Sequence, residues 1–394
     1  MPVILSLIPE KKEALKPLKL SIWLLLLFLM LLTGVVIATF VFPAKNDDHN
    51  LWFWCQAIIL PAVAWLLIFV LRFHIYERNV IYAKSWNQHH EHRRDELIKF
   101  AQRPLVLLSS AMISGAGTYG HAQAISNNLI KIASTKPING QVPIPHSAIA
   151  RDDSFGSQIA LLTYIFVSLK NNLKLPDIEI LKGHPLNVKL LHDSGLNDAE
   201  VQKVWNTCWS KSLPPDVTIE LVKKDRGVMV LDEWLDELKN DYGYLLVVSV
   251  QLYEQAQMNS AEAATAMLFA GMKVEGLAEQ GIIEVHRPVE GETESALDDA
   301  VLWGKQKSSA VSAIWCSEGE LPYITDMLIA FNAIAGKLPD VHRVNSALGY
   351  AGAVAGWLTL AIAIERCQLS GLPQLVSYSS NSRVFMMVNP SNNA

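Results

Sequence analysis

The sequence predicts an α/β protein in which a hairpin of two transmembrane helices precedes a layered α/β body. Two uncharged apolar runs lie close together near the N-terminus, at residues 20–42 and 51–71. From residue 104 onwards, short apolar strand-like runs alternate with amphipathic helical segments, which is typical of a layered α/β fold. The chain has 394 residues, is 51% hydrophobic and carries a net charge of −5. This composition excludes a disordered chain and lacks the basic character of nucleic-acid-binding proteins.

The two apolar runs are long enough to cross a membrane. They contain 23 and 21 residues without a charge, and about 20 apolar residues span a hydrocarbon layer of ~30 Å as a helix. Helices are expected because a bilayer offers the backbone no other hydrogen-bond partners. Pro61 interrupts the second run and predicts a kink there. A simple cleaved signal peptide is disfavoured, since the first run lacks a small-residue cleavage site and a second run follows at once.

The distribution of positive charge predicts the orientation of this hairpin. Lysines and arginines are frequent before the first run and after the second, whereas the connecting loop holds only Lys45 beside two aspartates. Because Lys and Arg mark the cytoplasmic side, we expect a multi-pass protein of a bacterial inner membrane with its N-terminus and body in the cytoplasm. The expected domains are a cytoplasmic tail (1–19), the hairpin (20–71), a juxtamembrane helix (72–103) and a cytoplasmic α/β domain (104–394).

The predicted juxtamembrane helix contains a histidine cluster. His92 and Asp95 are three residues apart and could share a helix face with His89 nearby. Imidazole and carboxylate are metal ligands, so His89, His92 and Asp95 are candidate metal ligands. We prefer the alternative of a solvated helix beside anionic headgroups, and no metal is predicted.

A glycine-rich turn follows the first predicted strand of the body, at residues 105–110. Gly115, Gly117 and Gly120 form a G-x-G-x-x-G pattern between this strand and a predicted helix at residues 121–133. That context is required of a dinucleotide-binding turn. The acidic residue expected ~20 positions later is missing, because residues 121–150 contain no Asp or Glu. We prefer a simple strand-to-helix turn and predict no cofactor.

The remaining elements alternate along the body. Helices are predicted at residues 159–173, 196–211, 323–335 and 354–365, and strands at 216–222, 244–252, 260–271, 282–285, 311–315, 375–378 and 382–388. Asp232 and Asp236 lie one helical turn apart, so we expect a solvated acidic stripe. The uncharged run at residues 347–364 is either a third membrane span or a buried core helix. We prefer the core helix, because the run is short and rich in Ala and Gly.

The C-terminal block resembles a known family. Residues 345–353 read NSALGYAGA, a glycine-rich turn that opens an apolar helix, and two predicted strands close the chain. In order and spacing the block resembles the C-terminal half of the thiolase-like fold as found in β-ketoacyl synthases. Residues 259–264 resemble the Glu-Gly-Ala strand of that family. The resemblance covers residues 105–390 and implies a thiolase-like body.

The same resemblance implies that the body is catalytically degenerate. The family's histidine falls on Ser346 and its lysine on Val341, while His342 lies out of register. No small-residue strand-to-helix turn holds a cysteine, although condensation needs a thiolate and polarising imidazoles. No catalytic residue is therefore predicted. Cys316, His342 and Ser346 are the candidates for an unconventional site, with the backbone amides of residues 349–352 as an oxyanion site.

Two functions are consistent with these patterns. We prefer a membrane-anchored, non-enzymatic scaffold, a pseudoenzyme that binds a protein partner as an accessory or adaptor of a bacterial envelope machine such as type VI secretion. Its partners would be the lipid bilayer and another protein, and the resemblance implies a homodimer. The alternative is a membrane-associated acyl-transfer enzyme with unconventional catalytic residues.

Overall fold

The computed structural model describes residues 3, 5–41, 52–137, 140–149, 155–176, 178–215, 217, 219–274, 283–317, 321–379 and 382–391. Within them the chain divides into two compact units, Ile4–Leu97 and a body that begins at Ile98. The predicted combination of a helical N-terminal part and a mixed α/β body is confirmed.

The N-terminal unit is built on two long helices, α1 (Leu20–Val41) and α2 (Leu60–Ala101). Both are long and apolar enough to cross a membrane. A π-helical turn, Cys55–Ile59, leads into α2 at the predicted kink, because Pro61 has no N–H to donate to the Ala57 carbonyl. Helix α1 packs closely here. A Cβ at Gly34 would lie 2.6 Å from the carbonyl oxygen of Ala57.

The segment before α1 runs along the charged part of α2, a contact that the sequence did not predict. Lys11 Nζ lies 2.9 Å from Glu91 Oε1. The Lys12 backbone N–H donates to Asn87 Oδ1 at 2.8 Å, and Asn87 Nδ2 donates back to the Lys12 carbonyl at 3.0 Å. The Lys12 ammonium also lies 3.8 Å from the ring centroid of Tyr82. Because α2 is continuous from Leu60 to Ala101, the expected juxtamembrane helix is its C-terminal part. The segment before α1 packs along this part of α2.

The body contains further helices and strands in the predicted alternation. Its helices are α3 (His121–Ser126), α4 (Gln158–Asn172), α5 (Ile178–Lys182), α6 (Asp198–Trp209), α7 (Val230–Asp236), α8 (Thr293–Trp303), α9 (Leu321–Ala335), α10 (Val344–Leu348) and α11 (Ala355–Ser370). Its strands are β1 (Leu105–Ser114), β2 (Ser134–Thr135), β3 (Ile144–Ser147), β4 (Leu186–Asp193), β5 (Ile219–Val222), β6 (Tyr244–Gln251), β7 (Ser260–Ala261), β8 (Ala263–Ala270), β9 (Ile283–Val285), β10 (Val289–Gly291), β11 (Ala313–Ser317), β12 (Asp340–Arg343), β13 (Gln374–Ser379) and β14 (Arg383–Pro390).

The main sheet of the body is an internal repeat. Its order is β12-β11-β13-β14-β9-β1-β8-β6-β4-β5. In the N-terminal half, β5, β4 and β6 are parallel, and β8 runs antiparallel between β6 and β1. In the C-terminal half, β12, β11 and β13 are parallel, and β14 runs antiparallel between β13 and β9. The antiparallel pair β1–β9 joins two halves of equal strand order and direction.

Helix α11 lies in the core of the body. Every residue from Ala355 to Ile364 is buried, including Trp357. Burying one large apolar side chain contributes about 1.5–3 kcal/mol, so this helix is a major source of the body's stability. The preferred interpretation of the run at residues 347–364 as a buried helix agrees with the structure.

Two local expectations are wrong. Helix α3 ends at Ser126 and not at residue 133, because Asn128 takes a left-handed conformation with φ +54° that no helix continues. Asp232 and Asp236 do not form a solvated stripe. Asp232 is buried, and both carboxylates bind the guanidinium of Arg287. The arginine is 51 or more residues away in sequence, so helical spacing could not reveal the pairing.

Candidate functional site

The candidate catalytic residues Cys316 and His342 point to opposite faces of the sheet. They lie on the adjacent parallel strands β11 and β12, where Trp315 pairs with His342. The rings of Trp315 and His342 are in contact, with centroids 4.5 Å apart. Cys316 therefore points the other way, because successive strand residues alternate between faces. Its thiol lies 3.5 Å from the backbone carbonyl of His342 and not beside the imidazole, so that ring is not placed to activate it.

The remaining parts of the unconventional site are also dispersed. Ser346 is exposed on α10. Two of the backbone amides proposed as an oxyanion site, those of Gly349 and Tyr350, already have acceptors. Gly349 N donates to the Asn345 carbonyl at 3.0 Å, and Tyr350 N donates to the Asn259 carbonyl at 2.7 Å. The bond from Tyr350 thus connects the glycine-rich turn to the residue that precedes β7. Gly349 is required there, because its φ is +95° and a Cβ would lie 2.6 Å from the Ser260 carbonyl oxygen.

The G-x-G-x-x-G turn holds a carboxylate of the protein itself. Gly120 N and Ala122 N, at the start of α3, donate to the two carboxylate oxygens of Glu365 at 2.5 and 2.8 Å. These are the amides that a bound phosphate would use. Gly117 closes a tight turn with Ser114, and Gly115 packs against Ser147 and Ala148. The structure therefore gives all three candidate glycines a structural role.

The candidate metal ligands remain on the exposed face of α2. His89, His92 and Asp95 are exposed, and His92 Nδ1 lies 3.5 Å from Glu96 Oε1. Among the residues that the structure describes, no group of three or more His, Cys, Asp or Glu side chains could hold a metal ion.

The strand-to-helix junction after β5 corresponds, in the internal repeat, to the glycine-rich turn before α11. It contains Arg226 and Gly227 and leads into the seven-residue helix α7. The carbonyl of Leu235 in this helix accepts a hydrogen bond from Arg103 Nη2 at 2.5 Å. Arg103 Nη1 also binds Asp241 Oδ1 at 2.8 Å. Helix α7 thus serves as an attachment point for the first residues of the body.

A cavity of about 770 Å³ opens beside β3 and β7. Gly115, Ala347 and the N-terminal end of α4 contribute to its wall. Its two most buried ionisable side chains are His146 and Glu262. The volume is within the range of small-molecule sites.

Glu262 enters the cavity from the short gap between β7 and β8. Its carboxylate accepts the backbone N–H of Ile149 at 3.0 Å and that of Tyr253 at 3.2 Å. Burial nevertheless raises the pKa of Glu262, because these two bonds do not offset the loss of solvent. Burial together with the nearby Asp193 raises the pKa of the Tyr253 phenol to about 12, so it is neutral at physiological pH.

His146 faces the same cavity from β3, paired across the strands with Ser260. Its Nδ1 lies 3.0 Å from the carbonyl oxygen of Ile144. A carbonyl can only accept, so this bond places the proton on Nδ1 and leaves a lone pair on Nε2. The ring is 8% exposed.

Three solved structures are similar in architecture to this chain. An oxazolomycin ketosynthase domain of Streptomyces albus JA3453, OzmH KS7, has a TM-score of 0.51 and 9% identity, and the match covers 74% of this chain and 75% of that one. The KS8 domain of the same protein has a TM-score of 0.49 and 10% identity, with 74% and 97% covered. For the 3-oxoacyl-(acyl carrier protein) synthase III of Xanthomonas oryzae pv. oryzae, the values are 0.46 and 10%, with 73% and 98% covered. No family model and no curated protein matches the sequence.

The body has a thiolase-like fold. The predicted resemblance is thereby confirmed at the level of the fold, which is what a likeness at this identity establishes. Sequence reasoning missed His146 and Glu262 as members of one cavity of the thiolase-like body. Glu262 lies within the quoted Glu-Gly-Ala-like segment, so it could have been noticed. His146 lies in a short strand directly after Pro145 and has no motif around it.

Proposed function

We propose that this protein is a membrane-anchored binding protein whose thiolase-like body carries no condensing site. The positions of the cysteines carry the proposal. Cys208 lies near the end of α6, Cys316 lies within β11 and Cys367 lies late in α11, so none of them begins a helix after a strand. Burial raises the pKa of the Cys208 thiol and raises that of Cys367 to about 12, which is opposite to what a nucleophile needs.

The membrane anchor rests on the exposure of α1 and α2. A core helix of a soluble protein is mostly buried, whereas only 6% and 0% of the most apolar windows of these helices are buried. Large apolar side chains such as Phe40 and Leu60 face outwards, at 83% and 68% exposure. A lipid environment would cover them. The charge distribution supports the orientation with both ends in the cytoplasm of a bacterial inner membrane.

Protease accessibility tests this placement. Protease added to intact spheroplasts should leave epitopes beyond residue 100 undigested, and permeabilised spheroplasts should lose them. Digestion of those epitopes in the intact spheroplasts would refute the orientation.

The binding role is the part of the proposal that concerns partners. A thiolase-like body without a condensing site, held at the membrane, fits an accessory or adaptor in an envelope machine such as type VI secretion, as a homodimer. Cross-linking mass spectrometry in native membranes should identify contacts between the body and a partner protein or a second copy. Cross-links restricted to an acyl carrier protein would instead favour the acyl-transfer alternative.

Substitution separates the binding role from the acyl-transfer alternative. The variants Cys316→Ala and His342→Ala should leave the cellular phenotype of a deletion strain fully complemented. Cys367→Ala is the matched control, because it removes a thiol that is equally buried in the body. Loss of complementation by the first two variants but not by the control would favour the enzyme.

A further inference from the structure

The cavity beside β3 has an unusual charge distribution. Its lysines, Lys131 and Lys136, and one carboxylate, Glu254, are exposed. Glu262 is the only charge-bearing side chain of its described lining that is buried. Among the described residues, no lysine or arginine forms an ion pair with Glu262, whose carboxylate accepts hydrogen bonds from two backbone amides. A buried carboxylate in this position has no lysine or arginine as a counter-charge among the described residues, and a bound cation would stabilise its ionised form.

The second buried polar group of the cavity also offers an acceptor. Because His146 Nδ1–H is used by the Ile144 carbonyl, the neutral ring offers the Nε2 lone pair to a ligand. Nε2 has no hydrogen-bond partner among the described residues. Glu262 and His146 therefore both present acceptors, and a group with several N–H donors is their chemical complement.

The rest of the cavity wall is mainly apolar. Ile130, Leu161, Phe155 and Leu348 contribute to it. A ligand that fits must therefore combine a cationic donor group with an apolar body. A primary ammonium carries three donors and one positive charge on a single atom.

We propose that this cavity binds a primary amine with an apolar body, whose ammonium group binds Glu262 and His146 Nε2. The apolar body lies against the apolar wall. This site goes beyond the proposed membrane-bound binding function and does not depend on it. The amine assay below can fail while the cysteine and protease results stand.

Calorimetry with three matched probes tests the proposal on the full chain in lipid nanodiscs, with empty nanodiscs as the blank. The probes are 2-phenylethylamine, 2-phenylethanol and 3-phenylpropionate, which share a ring and a two-carbon arm but differ in charge. The amine should bind at least about tenfold more tightly than the alcohol, since a hydrogen bond to a charged group contributes about 1.5–3 kcal/mol. The carboxylate should bind most weakly.

Variants then assign the binding to the two acceptors. Glu262→Gln should weaken amine binding by about 10- to 100-fold. His146→Asn should weaken it by about tenfold, because the Asn amide keeps a donor for the Ile144 carbonyl but is too short to place an acceptor at the position of Nε2. Glu254→Gln removes the same charge from the exposed rim and should change the affinity by less than about threefold.

Three results would overturn the proposal. One is the absence of measurable binding of 2-phenylethylamine, and another is equal affinity for the amine and the alcohol. The third is a loss of affinity that is as large in Glu254→Gln as in Glu262→Gln. If Glu262→Gln does not fold, as judged by circular dichroism, the His146→Asn result decides the matter.

Discussion

The buried guanidinium of Arg287 is expected to be one of the most sensitive positions of the body. Its side chain is 2% exposed, and it binds Asp232, 6% exposed, and Asp236, 17% exposed. The bond to Asp236 is 2.7 Å long. Replacing the arginine by methionine, Arg287→Met, keeps the volume but leaves the buried carboxylate of Asp232 without its cation. Breaking a buried pair in this way costs about 3–5 kcal/mol.

The pH dependence gives this prediction a second signature. Burial already raises the pKa of Asp232 in the folded protein, and the positive charge of Arg287 opposes that rise. Removing Arg287 raises the pKa of Asp232 further, so the folded variant holds a proton at pH values where the unfolded chain has lost it. Stability of the variant therefore falls as pH rises above the unfolded value of about 3.8. The deficit relative to the wild type should be largest near pH 7.5 and smaller at pH 5.

Urea denaturation of the full chain in detergent, followed by tryptophan fluorescence, measures both effects. Trp234 is buried on α7, the helix that carries Asp232, so its fluorescence reports on the unfolding of this helix. The double variant Arg287→Met/Asp232→Leu should recover at least about 1 kcal/mol of the deficit, because it removes the stranded carboxylate. A deficit of Arg287→Met below about 1 kcal/mol, or no recovery in the double variant, would refute the reasoning.

Three further predictions concern the body. Burial lowers the pKa of His286 from 6.5 to about 3, so the stability present above pH 6.5 is lost as the pH falls. The loss reaches about 2 kcal/mol at pH 5. It should be absent from the denaturation curves of His286→Gln. Glu365→Gln should lower stability by about 1–2 kcal/mol, since it weakens the binding of the two amides at the start of α3, and a thermal shift with NAD in either protein would contradict this role. Gly349→Ala should cost more than Gly371→Ala in urea denaturation, because both have positive φ but only the former places a Cβ against backbone; equal costs would contradict the contact.

The sequence was sufficient to predict features that depend on local pattern. The helix α6 begins where Asn197 and Glu200 form a capping box, and the strands β13 and β14 appear at the predicted places. The thiolase-like fold was also accessible, because the order of elements and the turn at residues 345–353 are properties of the chain itself. Periodicity and turn chemistry act over a few residues, so they are readable without coordinates.

Features that depend on distant partners could not be predicted. The acidic residues of α7 looked like a solvated stripe, since Arg287 is far away in sequence. The carboxylate of Glu365 accepts a hydrogen bond from the Gly120 amide, although the two residues are 245 positions apart in sequence. Cys316 and His342 are both near the predicted site in sequence, yet the pleat of the sheet points them to opposite faces. The cavity residues His146 and Glu262 are brought together only by the pairing of β3 with β7.

Intact mass spectrometry after incubation with acyl-CoA and acyl carrier protein thioesters tests the central claim most directly. The full chain in nanodiscs should gain no acyl group on Cys208, Cys316 or Cys367, because none of these three cysteines starts a helix after a strand. A stoichiometric thioester that is removed by hydroxylamine and abolished by substituting one of these cysteines would contradict the account. Such an adduct would identify the body as a condensing or acyl-transfer enzyme.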